Sequence, residues 1–280
     1  MESPDTLWRD RRARIGIGIV GLVVLLAWLG PAVAPADPIG QHDVVATRFL
    51  SPGTTDPLGV FHLLGTDRLG RDVWSRLVHG ARVSLAVGAL TMIVSLTIGI
   101  MVGLVAGTTG GAVATLLLGL TDFALGVPRV VLLLLLAALW NPGALQVILV
   151  LGATGWMPIA RLVHAETRAQ LARPYVQGAV ALGAGRTRIM LRHVLPHALT
   201  PILAAVTLGI GNAITLEAGL SFLGLGVQPP AASWGTLSAS GRDTVVNAPW
   251  VGLAPGIALV LVVVGCTLLA DAVQARHDPA

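Results

Sequence analysis

In this 280-residue chain, the side chains able to act as acids, bases, nucleophiles or metal ligands are few and poorly grouped. His193 and His197 have the i, i+4 spacing of a helical metal pair, but Pro196 lies between them and no Glu follows the first His as in a zincin motif. His164 and Glu166 are two apart, so on a helix they do not share a face. Gly183-Ala184-Gly185 lacks the third glycine of a dinucleotide fingerprint and has no strand before it. All 18 basic residues are Arg. A P-loop needs a Lys to reach the β/γ-phosphates, so an ATP site of that kind must sit on another polypeptide. The sequence therefore predicts no catalytic cluster, no metal site and no cofactor on this chain.

Two charges inside apolar sequence are more informative. Asp122 and Arg129 are seven apart, on one helical face at a distance of two turns. A charge in the bilayer costs at least about 2.5–3.5 kcal/mol, so an intramembrane charge points to a wet path. The two readings are a polar lining for a solute path, or a snorkelling Arg129 with Asp122 at a membrane boundary. Pro128 is expected to kink the helix and free carbonyls into a cavity. Glu217 either caps a turn at the outer end of its span or contacts a polar solute. Asn212, with Gly209 and Gly211, suggests close helix packing with an interhelical hydrogen bond. Cys266 lies in an apolar run and has no internal disulfide partner; it reads as a small buried hydrophobe.

The elements that must position these residues follow from composition. Hydrophobic residues make up 54% of the chain and charged residues 11%, against about 25% charged in soluble domains. The fold class is all-α, a polytopic membrane protein of six transmembrane helices. A span needs roughly 20 apolar residues. Residues 1–14 form a basic tail and 15–34 the first span, read as a retained anchor and not a cleaved signal. Residues 35–82 form a polar loop, with a short amphipathic helix expected at 71–81 and a turn just before it capped by Asp67 or Thr66. A core domain at 83–272 holds five spans, near 83–106, 112–140, 144–163, 198–220 and 251–270. A basic, non-spanning segment at about 165–196 separates the fourth and fifth, and 273–280 is a tail. Trp234 and Trp250 are placed as interface anchors.

Six spans put both termini on one side. That side holds eleven Arg, the other six, and Arg129 falls within a span. The excess predicts cytoplasmic termini, although five Asp on the outer loop offset its five Arg. Scattered Arg of this kind are topology signals and not a nucleic-acid footprint.

Four stretches then carry a resemblance. Residues 175–184, YVQGAVALGA, lead to Arg192-His193-Val194-Leu195-Pro196. This resembles the EAA loop of ABC-importer permeases: Ala179, Gly183, Leu195 and Pro196 match, while Gln177 and Gly178 stand where the family has Glu and Ala. Residues 64–73, LGTDRLGRDV, precede Ser75-Arg76 and Gly80-Ala81-Arg82. Residues 220–230, LSFLGLGVQPP, continue to Ser233-Trp234-Gly235. Asp271-Ala272-Val273 leads to Asp278-Pro279. In this order they look like the second permease of dipeptide, oligopeptide and nickel ABC importers.

The resemblance implies the ABC type I importer permease fold and a bacterial inner-membrane location. Its implied partners are a homologous permease, one or two ABC ATPase subunits carrying ATP and Mg, an extracytoplasmic solute-binding protein and membrane lipid. The matching loop would couple to the ATPase through Tyr175, Val176, Gln177, Ala179, Val180, Gly183, Ala184 and Arg186. Val176, Ala179 and Val180 share a helical face that is expected to fill a cleft in the ATPase, and Gly183 permits a sharp turn. Asp122, Arg129, Asn212 and Glu217 are the candidates for the translocation path. A nickel-chelate permease, a secondary transporter, a channel and a membrane enzyme are the alternatives; the last lacks any credible catalytic group.

Overall fold

The structure is a computed structural model and describes residues 10–41 and 43–275. The side chain of Arg186 lies outside that description, as do Arg9, Arg276, Asp278 and Pro279. The first helix, α1, spans Arg11–Leu29, with the Asp10 side chain accepting from the Arg12 N–H as its cap. A short helix α2, Val44–Thr47, and a two-stranded antiparallel ribbon follow: β1, Thr54–Thr55, pairs with β2, Phe61–His62. Next come α3, Val73–Thr109, then α4, Gly111–Gly126, and α5, Arg129–Ala138. The remaining helices are α6, Ala144–Leu171; α7, Pro174–Ala181; α8, Arg186–Ile189; α9, Leu195–Phe222; α10, Trp234–Arg242; and α11, Trp250–Gln274. A π-helical turn, Met190–Val194, joins α8 to α9.

Glycine positions show how the helices run. A Cβ on Gly99, Gly103 or Gly107 of α3 would sit 2.7, 2.6 or 2.5 Å from Ile159, Val163 or Thr167 of α6. Residue numbers rise together, so α3 and α6 are parallel and their backbones meet along a stripe that only small residues permit. The chain between two parallel helices must return across the bundle. The pair α4 and α5 makes that return, bent by 86° at Val127-Pro128. Elsewhere Gly88 faces Ile214 and Gly209 faces Met92, so α9 is antiparallel to α3. Gly16 faces Leu269 and Gly265 faces Val20, so α11 is antiparallel to α1. Among the described residues, five helices are individually long and apolar enough to cross a membrane, and the bent pair, taken as one span, makes the sixth crossing that parallel α3 and α6 require.

All crossings then connect two faces. One, the near face, holds the start of α1, the α3–α4 turn, the segment from α7 to the π turn, and the end of α11. The far face holds residues 33–72, the α5–α6 turn and the α9–α11 connection.

Several expectations are corrected. No separate helix exists at 71–81: α3 starts at Val73 and continues without a break into the membrane stretch. Asp72 is its cap, accepting from Ser75 N at 2.6 Å, and the turn expected just before it is the one that Asp67 closes, accepting from Leu69 N and Arg71 N. Nothing near Arg82 breaks the helix, and its guanidinium instead donates to Ala27 O and Trp28 O at the end of α1. The third span is broken and not continuous, because Pro128 cannot extend the ladder of α4. The helix of the fourth span, expected to end near 163, runs on to Leu171. Trp234 is not at an interface: it is 2% exposed, and its indole N–H donates to Leu77 O, which lets the ring be buried. Trp250 likewise donates to Thr66 O in the far-face loop.

Candidate functional site

A cavity of about 500 Å³ opens in the middle of the bundle, walled by α3, α5, α6, α9 and α11. Its polar lining comprises Thr91 and Ser95 on α3, Arg129 on α5, Asn212 and Thr215 on α9, and Thr267 on α11. Arg129 is the first residue of α5, immediately after the break, so the kink at Pro128 carries the guanidinium inward. Gly155 of α6 makes room for it: a Cβ there would lie 3.3 Å from Arg129 Nη2. Arg129 Nε and Thr91 Oγ1 are buried atoms with no hydrogen-bond partner among the described residues, and Thr91 is 2% exposed. Ser95 donates to Gly152 O, pinning α3 to α6 beside the cavity. Cys266 closes part of the wall and is buried, as its apolar surroundings predict.

Of the four path candidates, Arg129 and Asn212 meet at this cavity and Asp122 and Glu217 do not. The predicted Asp122–Arg129 face is lost at the bend, since helical spacing holds only within one straight helix. Asp122 stays on the exposed side of α4, with Oδ1 3.6 Å from Nε of the exposed Arg161. Glu217 is fully buried in a separate knot. Ser84 Oγ of α3 donates to its Oε2 at 3.1 Å and Ser221 Oγ of α9 to its Oε1 at 2.7 Å. Ser84 Oγ accepts from Trp234 N at the start of α10, and Ser221 Oγ accepts from Val227 N. Glu217 therefore ties three elements together near the far face. Sequence reasoning missed Thr91, Ser95, Gly155 and Pro158, although hydroxyls four apart in an apolar helix were a legible sign of one polar face.

At the near face, α7 stands between the ends of α6 and α9. Val176 is 0% exposed and packs within this chain's own core with Leu104, Val163, Ile189 and Val194. It is therefore unavailable to fill a partner's cleft, which corrects its expected role. The exposed face is instead built from Gln177, Val180 and Leu182, the last 91% exposed, with Ala179 half-buried. Gly183 has φ +84°, a left-handed conformation natural to glycine, and ends α7 with its N–H donating to Val180 O. Ala184 N donates to Ala179 O across the same turn. Tyr175 O–H donates to Gln170 Oε1, and its ring meets the edge of His193. His197 Nδ1 approaches His193 O, so the two histidines serve local packing.

The far-face motif at 65–72 is a scaffold for the start of α3. Asp67 Oδ1 accepts from Leu69 N and Arg71 N, and its Oδ2 pairs with Arg71 Nη2 at 2.7 Å. A Cβ on Gly65 would strike Leu50 O, and one on Gly70 would strike Thr47 Oγ1. His62, unremarked in the sequence reading, lies buried between two carboxylates. Its Nδ1 donates to Asp72 Oδ1 at 2.8 Å, and its Nε2 is 3.5 Å from Asp56 Oδ2. Burial opposes ionisation of Asp56, but N–H donors of Val60 and Leu58 together with His62 outweigh it and hold this carboxyl below its ordinary value.

Comparison with known proteins places this geometry. The model of the family described as binding-protein-dependent transport system inner membrane component matches residues 99–280. The chain is 37% identical over 265 residues to the di/tripeptide transport system permease protein DppC of Pseudomonas aeruginosa (strain UCBPP-PA14), covering 94% of this chain and 86% of that one. It is 30% identical to the oligopeptide transport system permease protein OppC of Bacillus subtilis (strain 168), covering 98% and 90%. Its fold resembles a chain of the MetNI methionine ABC transporter in inward-facing conformations, with a TM-score of 0.60 at 20% identity over 72% of this chain and 96% of that one.

Proposed function

This chain belongs to the family of inner-membrane components of binding-protein-dependent transport systems and is a multi-pass permease subunit; from that footing we propose that it forms half of a pathway importing small peptides. The names of the peptide permeases it is similar to support the substrate class. The near face lies in the cytoplasm and the far face outside. The Arg excess on the near side supports that orientation. A homologous permease completes the pathway, a solute-binding protein delivers substrate at the far face, and separate ATPase subunits bind ATP and Mg below the near face.

The observation that carries the coupling role is the α7 turn. It is anchored in the core by Val176 and presents Val180 and Leu182 outward. An element seated rigidly in its own chain and apolar on its free side transmits a partner's movement as a unit. Gln177, exposed beside that face, offers the ATPase a neutral hydrogen bond where a carboxylate would offer a charged one. Arg186, Tyr175 and Ala184 belong to the same docking region. Movement there reaches the central cavity through α6 and α9, which flank the turn and line the cavity.

The test is purification from the native membrane in mild detergent, with mass spectrometry of the accompanying chains. The expected result is a second permease and a P-loop ATPase. Recovery of this chain alone under several gentle conditions overturns the importer assembly and favours an autonomous transporter or channel.

A further inference from the structure

Among the described residues, the central cavity holds a cation with nothing to neutralise it. Its lining includes Arg129 and no Asp or Glu. The nearby acids are committed elsewhere: Asp122 to Arg161 on the perimeter, and Glu217 to Ser84 and Ser221. Arg129 also opens α5, whose first turn has no side-chain cap, so unpaired backbone N–H groups and the positive end of the helix dipole lie at the same place. Thr91 Oγ1, buried and without a partner, adds a hydroxyl on the facing helix, and Asn212 adds an amide. A partly buried guanidinium whose Nε is shielded and without a counter-ion is costly to keep. A site that keeps one, and adds neutral donors around it, is built for an anionic group that visits.

We propose that this cavity receives the free C-terminal carboxylate of the peptide in transit, with Arg129 as its charged partner and Thr91 and Asn212 as neutral ones. The inference rests on the peptide-permease reading and deepens it: the chain selects for a carboxylate at mid-membrane and offers no matching anion for the peptide's ammonium end. Gly155 is part of the site because a Cβ there would strike Ser95 Oγ and press against the guanidinium at 3.3 Å from Nη2. The guanidinium fork and carboxylate geometry match in a way that a single ammonium does not reproduce in full.

The test uses the complete importer in proteoliposomes, with saturating binding protein loaded with a free-acid dipeptide, and reads both maximal uptake and ATP hydrolysis. Arg129→Gln is expected to lower uptake by about tenfold or more, the scale of losing a charged hydrogen-bond partner, while ATP hydrolysis persists. Arg129→Lys is expected to recover part of the uptake. Asn212→Asp, nearly isosteric, places a resident anion in the cavity and is expected to lower uptake in the same way, which keeps the test sharp where Arg129→Gln fails to assemble. Wild-type uptake in Arg129→Gln or in Asn212→Asp overturns the carboxylate site and leaves the peptide reading standing. No peptide uptake by the wild-type importer overturns the peptide reading and this inference with it.

Discussion

Gly183 shows how much one residue decides at the near face. Its φ of +84° lies where a side chain meets its own backbone, at a cost of roughly 1–2 kcal/mol. The space beside it is open, so a substitution there changes the turn without a clash inside this chain. Gly183→Asp is expected to leave assembly intact and to uncouple ATP hydrolysis from uptake, measured together in proteoliposomes; normal uptake would remove the turn from the coupling path. Asp56 makes a second residue-scale case, in the far-face loop. Its carboxyl is held below the ordinary value of 3.8, so the stability it contributes is complete above that value and is lost as the pH falls through its lower folded value. Asp56→Asn is expected to lower the thermal midpoint of the purified complex at pH 7, with the difference from wild type shrinking at strongly acid pH. An equal difference at both pH values contradicts the assignment.

At the scale of elements, the α3–α6 contact is decided by the absence of side chains. Gly99, Gly103 and Gly107 recur every four residues, and each faces a β-branched residue of α6. In lipid, burying apolar surface between helices gains little over leaving it in the hydrocarbon, so close packing supplies the attraction. Gly103→Leu places four carbons where Val163 already stands and is expected to cost about 1–3 kcal/mol or more. The checking measurement is monodisperse yield and thermal midpoint after detergent extraction, where Gly18→Leu, open to the surroundings, serves as the control expected to behave as wild type. The break between α4 and α5 belongs to the same scale. Pro128 announced a kink, but its angle and the inward turn of Arg129 depend on where α6 leaves room, at Gly155.

For the whole molecule, parallel α3 and α6 require an odd number of crossings between them, and the bent pair supplies one. Six crossings put the described ends of α1 and α11 on one face. With Cys266 replaced by Ala, single cysteines at Leu58 and Leu182, both exposed, report the two faces. A membrane-impermeant maleimide added outside spheroplasts is expected to label the first and spare the second until the membrane is opened. Labelling of Leu182→Cys in intact spheroplasts would reverse the orientation proposed from the Arg distribution.

By itself the sequence determined that the chain is a helical membrane protein, that it lacks a P-loop, and where its near-face turn falls, because hydropathy, missing residue types and a glycine-bounded motif are local properties. It also marked Arg129 as a charge requiring explanation. Only the tertiary structure decided which marked residues meet. Asp122 and Arg129 share a periodic face on paper and are separated by the bend; Glu217 is apart from the cavity because Ser84, far away in sequence, reaches it first. Val176 turned from a docking residue into core because α6 and α9 close over it. Thr91 and Asn212 joined Arg129 because three helices happen to converge at one depth. Periodicity specifies a face of one helix, whereas a site is made where several faces pack, and that packing is set by shape complementarity among distant residues.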